Sequence, residues 1–417
     1  MSSNNNIPKL RFPGFTGEWE EKTLGEVFDF RNGYTPSKNN SSFWEGGLIP
    51  WFRMEDIREN GNILNDAIQH ITNEAVKGVG LFKAGSIIVS TSATIGEHAI
   101  VNVDYLANQR FTNLYPKKEY LGKIDMMYAY YYMYIVDEIC KRNINIGTFA
   151  SVNMTSFARI PFPFPKNIKE QNIIEECLYE IDNLISEQGQ KVDALKEKKK
   201  GVIQQLFPQQ GETSPRLRFP GFSGEWEEKF ISEVFTRQTE KNAEDNKNVL
   251  TISAQYGLIS QLDFFKKSVS AADITGYYLL HKGDFAYNKS SSQGKPVGAI
   301  KPLKLYDKGV VSTLYICFRC KDPNAVGFWE QYFDAGIFDK EIMTIAQEGA
   351  RNHGLLNVPT SNFFDLTVKM PKPDEQHKIA ECLSSWDDLI ASESSKLEAL
   401  KDFKKGLMQQ LFPQPNK

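Results

Sequence analysis

Residues 170–209 and 375–414 align without a gap at an offset of 205 (375 minus 170), agree at 22 of 40 positions, and end in the same letters, QQLFPQ. Apolar residues recur along the first stretch on two heptad rows: Leu178, Ile185, Val192 and Leu206 on one, Ile174, Ile181, Leu195 and Val202 on the other. The second stretch carries Leu383, Ile390, Leu397 and Leu411 beside Ile379, Trp386, Leu400 and Leu407. A repeat of this period predicts a long helix with a coiled-coil seam. Pro208 and Pro413 cannot continue a helix, so they close each rod. At 1.5 Å per residue, roughly 35 residues make a rod of about 50 Å, longer than one turn of duplex DNA. Polar residues interrupt both seams at matching places, Gln188 and Glu393 near the middle, Lys199 and Lys404 nearer the end. A polar seam residue lowers stability and fixes register, so these four are the candidate register positions; the alternative is that they sit at the seam's wet edge.

The duplication extends beyond the rods. Residues 9–28, KLRFPGFTGEWEEKTLGEVF, return as residues 216–235, RLRFPGFSGEWEEKFISEVF, with 15 of 20 identical. Each copy sets aromatic residues (Phe12, Phe15 and Trp19; Phe219, Phe222 and Trp226) around a Pro-Gly turn, which suits a lead-in segment clamped onto its module. A short helix start over residues 23–28 is also predicted. Between lead-in and rod lie two stretches of equal length, 29–165 and 236–372, with a shared plan under dissimilar sequence. LFKAGSIIVSTSATIG (81–96) answers LHKGDFAYNKSSSQG (280–294), each a Gly turn, a strand, a Ser/Thr-rich loop and another Gly, with a further strand after it. VNMTSFARIPFPFP answers VPTSNFFDLTVKMP before each rod.

The chain therefore divides into a disordered tail (1–8), a first mixed α/β domain with its lead-in (9–165), a first rod (166–208), a polar linker (209–215), a second domain (216–372) and a second rod (373–413). The fold class is α+β. Two short-linked rods of equal length, one after each domain, pair most naturally as an antiparallel coiled coil, giving a pseudo-two-fold internal duplication. Such rods act as a ruler between two different reading surfaces.

Composition excludes several classes of function. No run approaches the 18 apolar residues of a membrane span, and the N-terminal residues lack a signal peptide's apolar core, so a cytoplasmic location is expected. Five scattered cysteines make no disulfide framework, and the lone Cys317-x-x-Cys320 pair lies in an apolar run that reads as strand packing. A net charge of −3 argues against binding nucleic acid by bulk electrostatics, so any DNA face is local or is completed by a partner. No catalytic set stands out: there is no Asn-Pro-Pro-aromatic run for amino methylation, no phosphate-binding Gly-rich loop, and the five histidines lack paired metal ligands. Glu20-Glu21-Lys22 and Glu227-Glu228-Lys229 have the E-x-K spacing of some nucleases but no neighbouring Asp to complete a site.

What remains is a set of polar loops. Those of the first domain hold Arg31, Tyr34, Thr35, Ser37 and Lys38; Arg53; Ser90, Thr91, Ser92 and Thr94; and Asn108, Gln109 and Arg110. Those of the second hold Arg237; Gln255 and Tyr256; Asn288, Lys289, Ser290, Ser291, Ser292, Gln293 and Lys295; and Arg351 and Asn352. Arg and Lys suit guanine O6 and N7, Asn and Gln suit adenine N6 and N7, and Ser, Thr and Lys hold phosphates. These are the candidate DNA-binding residues; no catalytic or metal-binding residue is assigned.

The stretch GYTPSKNNSSFWEGGLIPWFRMEDI (33–57), the STSATIG loop followed by LANQR, the PGF-x-GEWEEK lead-ins and the EQ…LFPQ rods together resemble the specificity subunits of type I restriction and modification enzymes. The resemblance covers nearly the whole chain. It implies that each variable domain is a target-recognition domain for double-stranded DNA, that the helices are conserved spacers, and that two methyltransferase (M) subunits dock on the assembly. It further implies adenine N6 methylation, with S-adenosylmethionine bound by the partner and no cofactor on this chain, and the joining of restriction (R) subunits to cut unmodified DNA. The contact residues carry over by loop position, and the second domain departs from the GYTPS pattern. Two other readings stand beside this one. A coiled-coil adaptor with protein-binding ends would show no DNA sequence preference, and a stand-alone methyltransferase would bind the cofactor itself.

Overall fold

The computed structural model describes residues 7–78, 80–91, 95–142, 153–209, 211–253, 257–265, 273–291, 295–348 and 356–413. The chain forms two compact units, residues 1–188 with 396–417, and residues 189–395. Each rod is one continuous helix, Ile168–Leu206 and Pro373–Leu411. Each contributes its first half to one unit and its second half to the other.

In the first unit the central sheet runs in the order Phe28–Asn32, Phe111–Pro116, Ser86–Ser90, His98–Val101, Ile63–Leu64, antiparallel but for the last pair. A smaller sheet joins His70–Ile71, Ile49–Phe52 and Leu106–Ala107. The helix Met126–Arg142 buries six consecutive residues of its YAYYYMY run, Tyr128 to Met133, in a core with Trp19, Phe28, Phe157 and Phe162. The second unit repeats the sheet order with strands Phe235–Arg237, Ile316–Cys320, Phe285–Asn288 and Ala299–Pro302. There the helix Val326–Asp334 supplies Phe328, Trp329, Tyr332 and Phe333 to the core. Cys317 and Cys320 are buried in their strand, as the apolar run predicts, and burial pushes both thiols up, to about 12 and about 11.

The lead-in segments do two jobs. Their EEK stretches form edge strands, Glu20–Thr23 paired with Pro161–Phe164 and Glu227–Phe230 paired with Thr367–Met370. Their arginines clamp the start of the rod: Arg11 Nε and Nη2 donate to the two carboxylate oxygens of buried Glu170 at 2.6 and 2.8 Å, and Arg218 repeats this on Glu375 at 2.8 and 2.5 Å. A buried carboxylate needs such a two-pronged partner to offset its lost hydration. The next residue, Gln171 or Gln376, donates to the carbonyl of Pro165 or Pro371, so the repeated EQ pair fastens each rod to the strand before it. The predicted short helix is present as Leu24–Val27, capped by Thr23, with its counterpart at Ile231–Val234.

The rods run antiparallel in each unit. In the first, residues of the opening half of Ile168–Leu206 share a core with Met408, Leu411 and Phe412 from the end of the other rod, and Phe412 lies 5.4 and 5.6 Å from the rings of Tyr128 and Tyr132. In the second, Leu206 and Phe207 join Ile379 and Leu383, and Phe207 meets Trp226, Phe328 and Tyr332. Burying a side chain of this size is worth about 1.5–3 kcal/mol. The seam is uneven. Ile174, Leu178, Ile181, Val192, Leu206, Ile379, Leu383 and Leu411 are buried, whereas Ile185, Leu195, Val202, Trp386, Ile390, Leu397, Leu400 and Leu407 are half-buried. Two helices alone cannot enclose a heptad seam; full burial is concentrated toward the rod ends, where globular side chains supply a third wall.

Candidate nucleic-acid interface

The sheet plan places the candidate loops. Phe28–Asn32 and Ser86–Ser90 both run antiparallel to Phe111–Pro116, with Asn32 opposite Thr112 and Ser90 opposite Phe111. The loop after residue 32, Thr91, and the Asn108–Arg110 turn before residue 111 therefore meet at one end of the sheet. Backbone bonds hold them there: Tyr34 N donates to Ala107 O at 2.8 Å, Gly33 N to Phe111 O at 3.1 Å, Asn108 N to Phe52 O at 3.0 Å and Thr91 N to Arg110 O at 3.3 Å. Gly33 is required for this approach, since a Cβ there would stand 2.1 Å from the Ala107 carbonyl oxygen.

The result is an open cleft of about 310 Å³ lined by Thr35, Lys38, Trp51, Arg53, Met54, Glu55, Asn108, Gln109 and Arg110. Its wall is preorganised. The Asn108 side chain accepts from Arg110 N at 2.9 Å and its carbonyl from Phe111 N at 3.2 Å, which fixes the turn. Thr35 Oγ1 donates to Gln109 Oε1 at 2.5 Å, leaving the Gln109 amide nitrogen as a donor. The Arg53 guanidinium stands 5.8 Å from the Trp51 ring, and Trp51 is wedged by Trp44 and donates to Tyr34 O. Arg53 Nε is buried without a hydrogen-bond partner among the described residues, with Glu55 Oε2 at 3.9 Å. Below it, fully buried Asp56 accepts from Arg53 N at 2.6 Å and Ile68 N at 2.7 Å, which sets where the arginine leaves the backbone. Three cations against one carboxylate make the cleft locally positive in an acidic chain.

Of the first-domain candidates, Thr35, Lys38, Arg53, Asn108, Gln109 and Arg110 line this cleft. Arg31 does not: it lies 3.8 Å over the Phe82 ring and donates to Gly80 O, with burial lowering its pKa. Tyr34 spends its hydroxyl on Ala75 O and Lys77 N, and Ser37 offers its carbonyl to Trp44. Ser90 is buried at the strand end, Thr91 is half-buried with its hydroxyl 3.2 Å from that of Thr112, and Ser92 and Thr94 lie outside the described residues. Trp51, Met54 and Glu55 complete the lining; an acidic or apolar residue carries no sequence signal for DNA reading.

In the second unit Arg237 and Asn288 end strands that both run antiparallel to Ile316–Cys320, so they leave the sheet at one end. Asn288 accepts from Ser290 N at 3.1 Å, burial lowers the pKa of the Lys289 ammonium, and Lys295 donates to Asp334 O at 3.2 Å. Ser291 is exposed; Gln255, Tyr256, Ser292, Gln293, Gly294, Arg351 and Asn352 lie outside the described residues. Sequence reading passes over one turn entirely. Ser312 to Tyr315 stands before Ile316–Cys320 as Asn108 to Phe111 stands at the start of Phe111–Pro116, with no cation or amide to mark it.

Three of the four polar rod positions are ion-paired. Lys404 meets Asp182 at 2.6 Å in the first unit and Lys199 meets Asp387 at 2.6 Å in the second; since 404 minus 199 and 387 minus 182 both equal 205, this is one contact made twice. Glu393, buried, pairs with Lys191 at 2.9 Å, and Gln188 is half-buried. Among the described residues no cluster of His, Cys, Asp and Glu could hold a metal ion, and no helix is long and apolar enough to cross a membrane.

A duplicated sheet with loops gathered at one end and paired long helices defines a two-module architecture. The chain belongs to the family of the type I restriction modification DNA specificity domain, which it matches over residues 16–197 and 223–402. It is 46% identical over 183 residues to the type I restriction enzyme EcoprrI specificity subunit of Escherichia coli and 33% identical over 183 residues to the EcoR124I/EcoR124II specificity subunit of the same species. These alignments cover 43% and 40% of this chain and 45% and 42% of the relatives, so the matched stretch spans less than half of either. A longer alignment, 22% identical over 419 residues, covers 95% of this chain and 92% of the MjaVIII specificity subunit of Methanocaldococcus jannaschii. The fold is that of the type I S subunit crystal structure from M. genitalium, at 14% identity and a TM-score of 0.54, covering 98% of this chain and all of that one.

Proposed function

We propose that this chain is the DNA-reading subunit of a type I restriction-modification complex and carries no catalytic site of its own. Each globular domain reads one half of a bipartite duplex target, the first through the cleft around Arg53 and the second through the loops near Arg237 and Lys289, while the rods set the gap between the halves. Two methyltransferase subunits, bringing S-adenosylmethionine, methylate adenine N6 on DNA bent or opened for them, and two restriction subunits cut unmodified DNA in the cytoplasm. The observation that carries this reading is the convergence of six predicted contact residues on one positive, donor-rich cleft in a chain of this family. Local rather than net positive charge suits a reader whose partners neutralise part of the phosphate backbone.

The test uses the assembled complex. Arg53→Ala lowers affinity for the target by about 1–3 kcal/mol, the worth of a good base contact, and relaxes one position of the motif. Lys289→Ala, removing a phosphate contact, weakens all sequences alike and reduces the salt dependence. Circular dichroism stays as in the parent for both. Unchanged affinity in both variants contradicts the assignment of these residues.

A further inference from the structure

The two units share more than a sheet order. In the first, Asn108 O accepts from Phe111 N at 3.2 Å and Asn108 Oδ1 accepts from Arg110 N at 2.9 Å. In the second, Ser312 O accepts from Tyr315 N at 3.1 Å and Ser312 Oγ accepts from Leu314 N at 3.3 Å. The same side-chain-closed turn thus precedes the same strand, and residue by residue Asn108, Gln109, Arg110 and Phe111 correspond to Ser312, Thr313, Leu314 and Tyr315. In the first unit this turn forms a wall of the cleft. In the second it presents, where Arg110 stands, a leucine side chain that is 61% exposed.

We infer that the turn Ser312–Tyr315 is a base-reading element of the second domain and that Leu314 packs on the 5-methyl group of a thymine in the second half-site. This rests on the proposed function above. Leucine has no hydrogen-bonding group, and the thymine methyl is the one apolar feature that a base pair displays in the major groove. The turn holds the side chain out at no cost in buried backbone, because Ser312 satisfies Leu314 N. Replacing Arg110 by leucine at the matching place changes the preference from an acceptor-rich guanine edge to a methyl, which is how two domains of one plan come to read different half-sites.

The experiment uses the complete complex with its methyltransferase subunits and a duplex carrying its target, with each thymine replaced in turn by deoxyuridine. Loss of one methyl contact lowers affinity roughly fourfold at a single thymine, the effect of burying one methylene-sized group. Leu314→Ala binds the thymine and deoxyuridine duplexes alike at that position, and Leu314→Met retains the difference. If no thymine matters to the parent complex, or if Leu314→Ala is as sensitive as the parent, the inference is overturned while a bipartite preference leaves the proposed function standing. If the parent complex prefers no duplex at all, it is the proposed function that falls.

Discussion

At the scale of single residues, the same chemistry serves different ends according to what lies beside it. Arg31 and Arg53 both stand next to aromatic residues, one in a strand and one just after a strand, and sequence alone reads them alike. Arg31 is stacked on Phe82 and bonded to Gly80, whereas Arg53 is held by Asp56 at the edge of a cleft. His98 is the clearest titration. It is buried, its Nδ1 lies 2.8 Å from Gly96 O, and Tyr130 and Tyr134 enclose it, so burial, assisted by Lys404 and Lys141, pushes its pKa down to about 4. The folded state holds this imidazole neutral while the unfolded chain protonates it near 6.5. Its contribution is therefore complete above pH 6.5 and is lost as the pH falls toward 4, by about 3 kcal/mol. Glu175, pushed up to about 7 by burial and by Asp125 and Glu176, slopes the opposite way, so the comparison needed is with His98→Gln. In urea titrations the parent loses more stability than His98→Gln between pH 7 and pH 4; a constant difference contradicts the assignment. The cleft was legible in part because GYTPSK and LANQR carry donors in loops. The turn Ser312–Tyr315 was not legible, because Ser-Thr-Leu-Tyr has the composition of any strand lead-in, and only the hydrogen-bond pattern marks it.

At the scale of elements, the rods were the most legible feature, since a heptad pattern survives any change in the surface it faces. Their ends were less so: Phe207 and Phe412 lie beyond the heptad rows, and their burial depends largely on aromatic residues far away in the chain, Phe328 and Tyr332 for the first, Tyr128 and Tyr132 for the second. The duplicated ion pair shows how the two units diverge around one plan. Tyr131 donates to Asp182 at 2.9 Å and Lys404 lies over the rings of Tyr131 and Tyr134. In the second unit Gln331 takes the tyrosine's place, donating to Asp387 at 2.8 Å and accepting from Lys199 at 3.0 Å. The Asp182 carboxylate is 34% exposed and that of Asp387 is 50% exposed, so the first pair is the more desolvated. Asp182→Asn accordingly destabilises the protein by about 1–3 kcal/mol in chemical denaturation, and Asp387→Asn by less. Restoring stability with the exchanged pair Asp182→Lys and Lys404→Asp supports a charge contact; equal costs for the two single variants contradict the burial argument.

At the scale of the whole molecule, the proposed function gives the rods a spacing role as well as a cohesive one. Apart from Val192 and Glu393, their best-buried positions lie where they join the globular domains, and the stretch around Gln188, with Ile185 and Ile390 half-buried, is where length can change with least loss of core. Four residues inserted near Gln188 alone disrupt the seam and lower the melting temperature. Matched insertions near Gln188 and Glu393 keep the helices in step and lengthen the gap between the half-sites, which is read from the methylated motif. An unchanged gap with matched insertions contradicts the ruler.

The central claim is that this chain chooses the DNA sequence for its partners. Its most direct test is genome-wide mapping of N6-methyladenine in cells that express the chain with its cognate methyltransferase subunit, against the methyltransferase alone. The account predicts a split motif, two short specific blocks around a fixed gap, present only with this chain. A verified complex that adds no new motif contradicts it and favours a coiled-coil adaptor with protein-binding ends.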